Sequence, residues 1–321
     1  MQLNLVQAIN QAMYQEMERD KSVMVMGEDV GKDGGVFRVT QGLLEKFGEA
    51  RVVDTPLAEA GIMGTAIGLA VNGMRPVLEI QFDGFTYITL NQLISHAARM
   101  RMRSRGKYTV PLVMRAPWGG GVRALEHHSE SMEAIYAHIP GVKTVIPSSP
   151  KEAKGLLISA IRDPDPVVFF EPKRLYRAFK EEVPEEPYTI PLGEARILQE
   201  GKDITMITWG SLTRTCMEYV QNAKYGIEII DIRSLSPFDE NTVLASVKKT
   251  GRAIIVSESP KSGGFAAEIS ARIAEKALMS LNAPILRVSG YDVPIPLAKL
   301  EDYYLPDTAR IGKAVEEIMK Y

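Results

Sequence analysis

Apolar residues at the amino terminus recur at helical spacing. Leu3, Leu5, Val6, Ile9, Ala12, Met13 and Met17 fall on one face, which predicts an amphipathic helix and not the apolar block of a signal peptide. Further on, short β-rich runs take over: "VMVMG" (23–27), "PVLEIQF" (76–82), "PLVMRAP" (111–117), "KTVIP" (143–147) and "DPVVFF" (165–170). The series continues with "ITMITWG" (204–210), "IEIIDI" (227–232), "AIIVSES" (253–259) and "PILRVSG" (284–290). Several are almost continuously hydrophobic, as strands covered on both faces are. Helical patterns such as "SPKEAKGLLISAIRD" and "GGFAAEISARIAEKALMSL" separate them. This alternation predicts an α/β fold with largely parallel sheets flanked by helices.

The pattern breaks between Glu171 and Gly201, where Pro172, Pro184, Pro187 and Pro191 accompany a charge cluster at 180–186. Proline removes backbone donors and disfavours regular elements. A boundary near residue 187 divides the 321 residues into domains 1–187 and 188–321. Charge changes the picture mainly by exclusion. With 38 Lys and Arg against 40 Asp and Glu, the chain lacks the basic field that nucleic-acid binding requires. The stretch "ARMRMRSRGKY" reads instead as the cationic end of a helix. A single cysteine, Cys216, excludes an intrachain disulfide and suits a reducing compartment. No apolar run approaches the ~20 residues of a membrane span. A cytoplasmic location is expected.

Candidate chemistry starts at "DTPLAEAGIMGTAIGLAVNG" (54–73), where Glu59 stands among apolar residues. Thr55-Pro56 is a helix-start signal, and Gly61, Gly64 and Gly68 put a flat stripe on one helical face. Glu59 has two readings: a carboxylate favoured by the helix dipole, or a buried acid that needs a partner such as a ligand nitrogen. "ALEHHSESMEAIYAH" places His127 and His128 beside Glu126 and Glu130, without the spacing of a metal site. Ser129 and Ser131 are expected to cap the next helix, with Glu133 in its first turn. "WGGGVR" (118–123) reads as a turn. A phosphate-binding Gly-rich loop followed by Lys-Ser/Thr and a G-x-G-x-x-G fingerprint are both absent.

Taken in chain order, "GEDVG" (27–31), "TPLAEAGIMGTAIGLA" (55–70), "QFDGF" (81–85), "HSES" (128–131), "IPSSPKEAKGLLISAIRDPDPVVFFEPKRLYR" (146–177) and "ESPKSGGFAAEI" (258–269) are similar to one family. They resemble the β subunits of E1 components of 2-oxoacid dehydrogenase complexes, in the transketolase-like thiamine diphosphate superfamily. The resemblance spans nearly the whole chain. It implies a pyrimidine-binding domain followed by a transketolase-like C-terminal domain. It also implies oxidative decarboxylation of a 2-oxo acid and reductive acylation of a lipoyl group carried by E2.

In that family the acid at the position of Glu59 hydrogen-bonds the aminopyrimidine ring and favours the imino tautomer that removes the thiazolium proton. Phe85 corresponds to the aromatic residue packed on the pyrimidine, and Leu57 to the residue flanking it. His128 corresponds to the group facing the reacting centre, where it donates to an oxyanion or guides the lipoyl group. Glu28 ends the first strand, where ligands gather in α/β folds, and reads either as an acid between the two active sites or as a satisfied loop carboxylate. The carbonyls of Leu112, Ala160, Ile161 and Asp163 match a loop that binds potassium in some members. The Gly-Asp-Gly segment that holds Mg²⁺ in single-chain relatives is missing. Its absence implies that an E1 α subunit holds Mg²⁺ and the diphosphate in an α₂β₂ heterotetramer. The C-terminal domain, with "AVEEIMKY" and Tyr321, is expected to dock the peripheral subunit-binding domain of E2. "FFEPKRLYRA" favours a branched-chain substrate, with pyruvate the alternative. A noncatalytic assembly subunit is the third option, against which the intact Glu59 and His128 argue.

Overall fold

The computed structural model describes residues 1–321. Its strands, in chain order, are β1 (Gln2–Leu3), β2 (Val23–Gly27), β3 (Val52–Asp54), β4 (Arg75–Glu79), β5 (Val113–Trp118), β6 (Lys143–Val145), β7 (Val167–Pro172) and β8 (Glu181–Glu182). The second part adds β9 (Arg196–Gln199), β10 (Ile204–Thr208), β11 (Ile227–Asp231), β12 (Ser234–Ser236), β13 (Ala253–Pro260) and β14 (Leu286–Gly290). Every strand predicted from the hydrophobic runs is present, trimmed or extended by a few residues. The short β3 and the half-exposed β9 escape the pattern because neither carries a continuous apolar run.

The first sheet has the order β12-β6-β7-β5-β4-β2-β3, parallel except for β12. The second has the order β14-β13-β10-β11-β9, parallel except for β9. β12 belongs to the second part of the chain yet pairs with β6, so the C-terminal domain supplies an edge strand to the first sheet. Side chains alternate between two cores. Phe169 packs with the helices Leu5–Arg19 and Pro150–Arg162, while Phe170 joins a core that also holds Ile207, Ile230 and Ile255 of the second sheet. Burying one such phenylalanine contributes about 1.5–3 kcal/mol. The shared core and the lent strand join the two domains.

Local signals explain several helix boundaries. Asn4 and Gln7 form a capping box at the start of Leu5–Arg19, so Leu3 lies outside that helix, in β1. Ser149 caps Pro150–Arg162, with proline in its first turn. Two expectations are corrected. The helix after β3 starts at Glu59, not at Thr55-Pro56, and its N-cap Ala58 makes no side-chain cap. Thr55 is instead drawn into the sheet, its N–H donating to the Gly27 carbonyl at 2.9 Å. Likewise the helix Glu133–Ala137 is not capped by Ser129 or Ser131, whose hydroxyls are buried without hydrogen-bond partners. No helix is long and apolar enough to cross a membrane.

In both sheets the connections reverse direction. From β2 the chain steps outward to β3, then returns to β4 on the other side of β2. The crevice outside the carboxyl ends of β2 and β4 is therefore a topological switch point, where open α/β sheets bind ligands.

Candidate active site

The residues that the resemblance ties to the cofactor gather at that switch point. Glu28 follows β2, Leu57 and Glu59 follow β3, and Phe82 and Phe85 follow β4. Glu59 is the first residue of the helix Glu59–Val71 and is 6% exposed. It forms no hydrogen bond or ion pair within the chain. Glu28 is 8% exposed, and its Oε1 is buried without a partner. Burial first, then the charge of Glu59, raises the Glu28 carboxyl above the usual carboxylate range. Two adjacent acids are thus withdrawn from water with no cation between them. Such an arrangement is costly unless another group supplies the missing hydrogen bonds.

Aromatic groups wall the site. The Phe82 and Phe85 rings meet edge to face at 5.8 Å. His128 packs on both, 4.2 Å from Phe82 and 5.2 Å from Phe85. The Glu59–Val71 helix packs against the turn Asp83–Thr89 that carries Phe85. Half-buried His128 directs Nδ1 at the Glu126 carbonyl, 2.7 Å away. A carbonyl only accepts, so Nδ1 carries the proton and Nε2 is left to exchange one. His127 is exposed with φ 64°, and its carbonyl lies so close to Gly84 that a Cβ there would sit 2.1 Å from it. Glycine at 84 is what allows the histidine loop to lie on the β4 turn. Leu57 is 79% exposed on this chain.

The potassium candidates lie elsewhere. Leu112 precedes β5, and Ala160, Ile161 and Asp163 precede β7, so they sit at the opposite end of the sheet from Glu59. Their carbonyls already accept hydrogen bonds: Leu112 from Val167, Ala160 from Asp163, and Ile161 and Asp163 from the Arg75 guanidinium at 2.8 and 3.2 Å. Each keeps one lone pair. No three His, Cys, Asp or Glu side chains come together as a metal-binding group.

Sequence reasoning missed the polar groups that stiffen this site. Arg115 of β5 is fully buried between two acids. It meets Glu171 through Nε at 2.6 Å and Nη2 at 3.0 Å, and Glu79 through Nη1 at 3.0 Å. Two acids of the C-terminal domain occupy the "WGGGVR" turn. Glu258 accepts the Gly120 N–H at 2.8 Å, while Glu301 accepts those of Gly121 and Arg123 at 2.9 and 2.6 Å. The turn is a carboxylate cradle within the chain. Buried Lys173 donates to the Gly119 carbonyl and lies 5.9 Å from the Phe82 ring centroid. A charged residue inside an apolar run was the one available signal, in "LVMRAP" and "FFEPK".

A cleft of about 890 Å³ opens beside the histidine loop, between Glu126–Met132 and the segment Asp292–Leu297. At the far end of the C-terminal domain, Tyr321 lines an apolar cleft with Leu278, Leu281 and Ile285. The glycine stripe of the Glu59–Val71 helix is uncovered here: Gly61 and Gly68 are exposed, and no neighbouring element approaches them.

Comparison with known proteins places this architecture. The family described as "Transketolase, pyrimidine binding domain" matches residues 1–178, and "Transketolase, C-terminal domain" matches 193–311. The pyruvate dehydrogenase E1 component subunit beta of Acholeplasma laidlawii is 52% identical over 321 residues, covering 99% of this chain and 98% of that protein. The Bacillus subtilis subunit of the same name is 49% identical over 323 residues, covering 100% and 99%. A solved structure described as a split gene transketolase, inactive beta4 tetramer, superposes with a TM-score of 0.81 over 99% of this chain and 98% of that one. At 19% identity it speaks for the fold alone. A shared fold, full-length similarity and an acid pair at the switch point lead to one conclusion: the chain belongs to the transketolase-like, thiamine diphosphate-dependent family of E1 β subunits of 2-oxoacid dehydrogenases.

Proposed function

We propose that this chain is the β subunit of a pyruvate dehydrogenase E1 component, dividing at about residue 187 into its pyrimidine-binding and C-terminal domains. The observation that carries the catalytic reading is the buried, unpaired Glu59 beside Glu28, on the helix that packs against the turn carrying Phe85, where Phe82, Phe85 and His128 cluster. Thiamine diphosphate fits this donor set, because its aminopyrimidine offers ring nitrogens to carboxyls that lack partners. The bound cofactor supplies the electron sink for decarboxylating a 2-oxo acid. Glu59 holds a proton at the ring nitrogen, with Glu28 behind it opposing a second negative charge. Phe85 and Leu57 flank the ring and exclude water. The exposure of Leu57 suits a residue finished by another chain. His128 exchanges a proton through Nε2 during transfer to the lipoyl group of E2.

An E1 α subunit holding Mg²⁺ and the diphosphate completes the site in an α₂β₂ assembly, and the uncovered glycine stripe supports such a contact. The Tyr321 cleft, beside Leu278 and Met279 at 60% and 96% exposure, supports docking of the E2 peripheral subunit-binding domain. Potassium at the remaining lone pairs of Leu112, Ala160, Ile161 and Asp163 has a structural role, given their distance from the acid pair.

Pyruvate is preferred over branched-chain substrates because the full-length relatives carry the pyruvate name. The test is coexpression with the E1 α subunit and comparison of kcat/KM for pyruvate and 3-methyl-2-oxobutanoate. Pyruvate is expected to win, and a higher value for the branched substrate reverses the assignment. In the same preparation Glu59→Gln is expected to fold and lose decarboxylation by about 10²-fold or more. Retained activity removes Glu59 from its role.

A further inference from the structure

The second sheet has a switch point of its own, between β10 and β13, where the chain order reverses. A ligand is the usual occupant of such a crevice. Here the first domain fills it. Trp209 and Ser211 follow β10, and Glu258 and Ser259 close β13. Against them lie the Gly119–Gly120 turn and Glu133. Gly120 donates to Glu258 Oε2 and Ser211 to Oε1, at 2.8 and 2.6 Å. Glu133 is fully buried and accepts two indole N–H groups: Trp118 on Oε2 at 3.2 Å and Trp209 on Oε1 at 3.3 Å. One indole belongs to each domain. The loop carrying His128 runs directly into Glu133, and its Glu130 carbonyl accepts the Gly119 N–H at 2.9 Å.

We propose that Glu133 is a positioning residue for His128: a single carboxylate that takes an indole from each domain and clamps the base of the histidine loop to the C-terminal domain. The inference rests on the reading of His128 as an active-site group. The chemistry of the clamp is specific. A carboxylate offers an acceptor on each oxygen, whereas glutamine offers one acceptor and an NH₂ that faces the other indole donor to donor. The ionisable groups around it are Glu258 on β13 and Tyr304 on the short helix Glu301–Tyr304, with the Ser259 hydroxyl beside them. Burial above all, with Glu258 adding and the residue's own backbone N–H opposing, pushes the Glu133 carboxyl up to about 7. The clamp therefore changes charge in the neutral range.

The chain has two tryptophans, and both donate to Glu133. Tryptophan emission of the full chain is expected to titrate with a midpoint at about 7, and the titration is expected to vanish in Glu133→Gln. Assembled with the E1 α subunit, Glu133→Gln is expected to keep KM for the 2-oxo acid within about twofold. It should lose about 10-fold or more in kcat for lipoyl reduction and flatten the pH profile near neutrality. His128→Ala is the reference. A loss in His128→Ala with wild-type kcat and pH profile in Glu133→Gln overturns the clamp and leaves the reading of His128 standing. Wild-type kcat in both variants overturns both. If Glu133→Gln does not fold, Trp209→Phe removes one donor to the ionised acid. It should raise the midpoint read by Trp118 and lower kcat, and an unmoved midpoint overturns the inference.

Discussion

Replacing Arg115 by methionine tests the scaffold under the active site. The guanidinium lies between Glu79 and Glu171, whose side chains are 3% and 0% exposed, and donates three hydrogen bonds to them. The Tyr176 hydroxyl adds a fourth, to Glu171 at 2.7 Å. Removing the cation leaves two acids in a dry interior. Each must then take up a proton or remain an uncompensated buried charge. Holding one carboxyl of ordinary acidity protonated at pH 7 costs about 3.7 kcal/mol. The loss is therefore expected to be about 4 kcal/mol for one carboxyl and up to about 7 for both, against the ~3–5 typical of a broken buried pair.

The sign of the pH dependence follows from proton counting. In the variant, the folded chain keeps protons that the unfolded chain releases above about pH 4.3. Its stability is greatest below that pH and falls as pH rises toward 7. At pH 5 the same arithmetic leaves a cost of only about 1 kcal/mol per carboxyl. In the parent chain Glu79 shows the same direction in weaker form, raised by burial while Arg115 opposes. The assay is urea unfolding at pH 5 and pH 7. With a slope of about 3 kcal/mol/M, a 4 kcal/mol loss moves the midpoint by about 1.3 M. The triple variant Glu79→Leu, Arg115→Met, Glu171→Leu is expected to recover most of the loss, short of about 1–3 kcal/mol for the orphaned Tyr176 hydroxyl. A penalty equal at both pH values, or a midpoint unmoved at pH 7, refutes the reasoning.

Gly84→Ala places a methyl group 2.1 Å from the His127 carbonyl, and only movement of the histidine loop relieves the clash. In the assembled enzyme kcat is expected to fall about 10²-fold with little change in melting temperature. An unchanged kcat separates Gly84 from the positioning of His128. Glu59→Gln removes the charge that acts, after burial, to raise the Glu28 carboxyl. The Glu28 titration, followed by ¹³C NMR of the labelled chain, is expected to move to lower pH, and an unmoved titration shows that the two acids do not interact.

Much of the architecture was legible because long apolar runs in parallel strands leave a strong signal: β2, β5, β10 and β13 stand out in the sequence. Glu59 stands out as an isolated acid at an apolar helix start, but the residues alone leave it readable as a dipole-favoured carboxylate, and only the family resemblance points to a cofactor. The polar clamps were not legible. The Gly120 N–H meets Glu258, and Trp118 meets a carboxylate shared with Trp209, across separations that no local pattern encodes. The helix start at Glu59 was misplaced for a related reason. The Thr55 N–H is taken by Gly27 of the neighbouring strand, a tertiary contact that overrides the capping signal of Thr55-Pro56.

The stretch "FFEPKRLYRA", read in the sequence as favouring a branched-chain substrate, is taken up by such long-range commitments. Phe169 and Phe170 face opposite cores of the first sheet. Glu171 is held by Arg115 and Tyr176, and Lys173 is tied to the Gly119 carbonyl. Arg174 turns to a polar cleft with Gly121 and Asp302. The large side chains of the run from Phe169 to Tyr176 are thus engaged in scaffold or a separate cleft, which leaves the run no surface with which to measure an acyl chain. A likeness there reports how the sheet is braced. On the function proposed above, discrimination between pyruvate and a branched acid is expected from groups around Phe85 and His128. The E1 α subunit proposed to close that site is accordingly the chain in which exchanging residues should change substrate preference, while exchanges within residues 169–176 should change stability first.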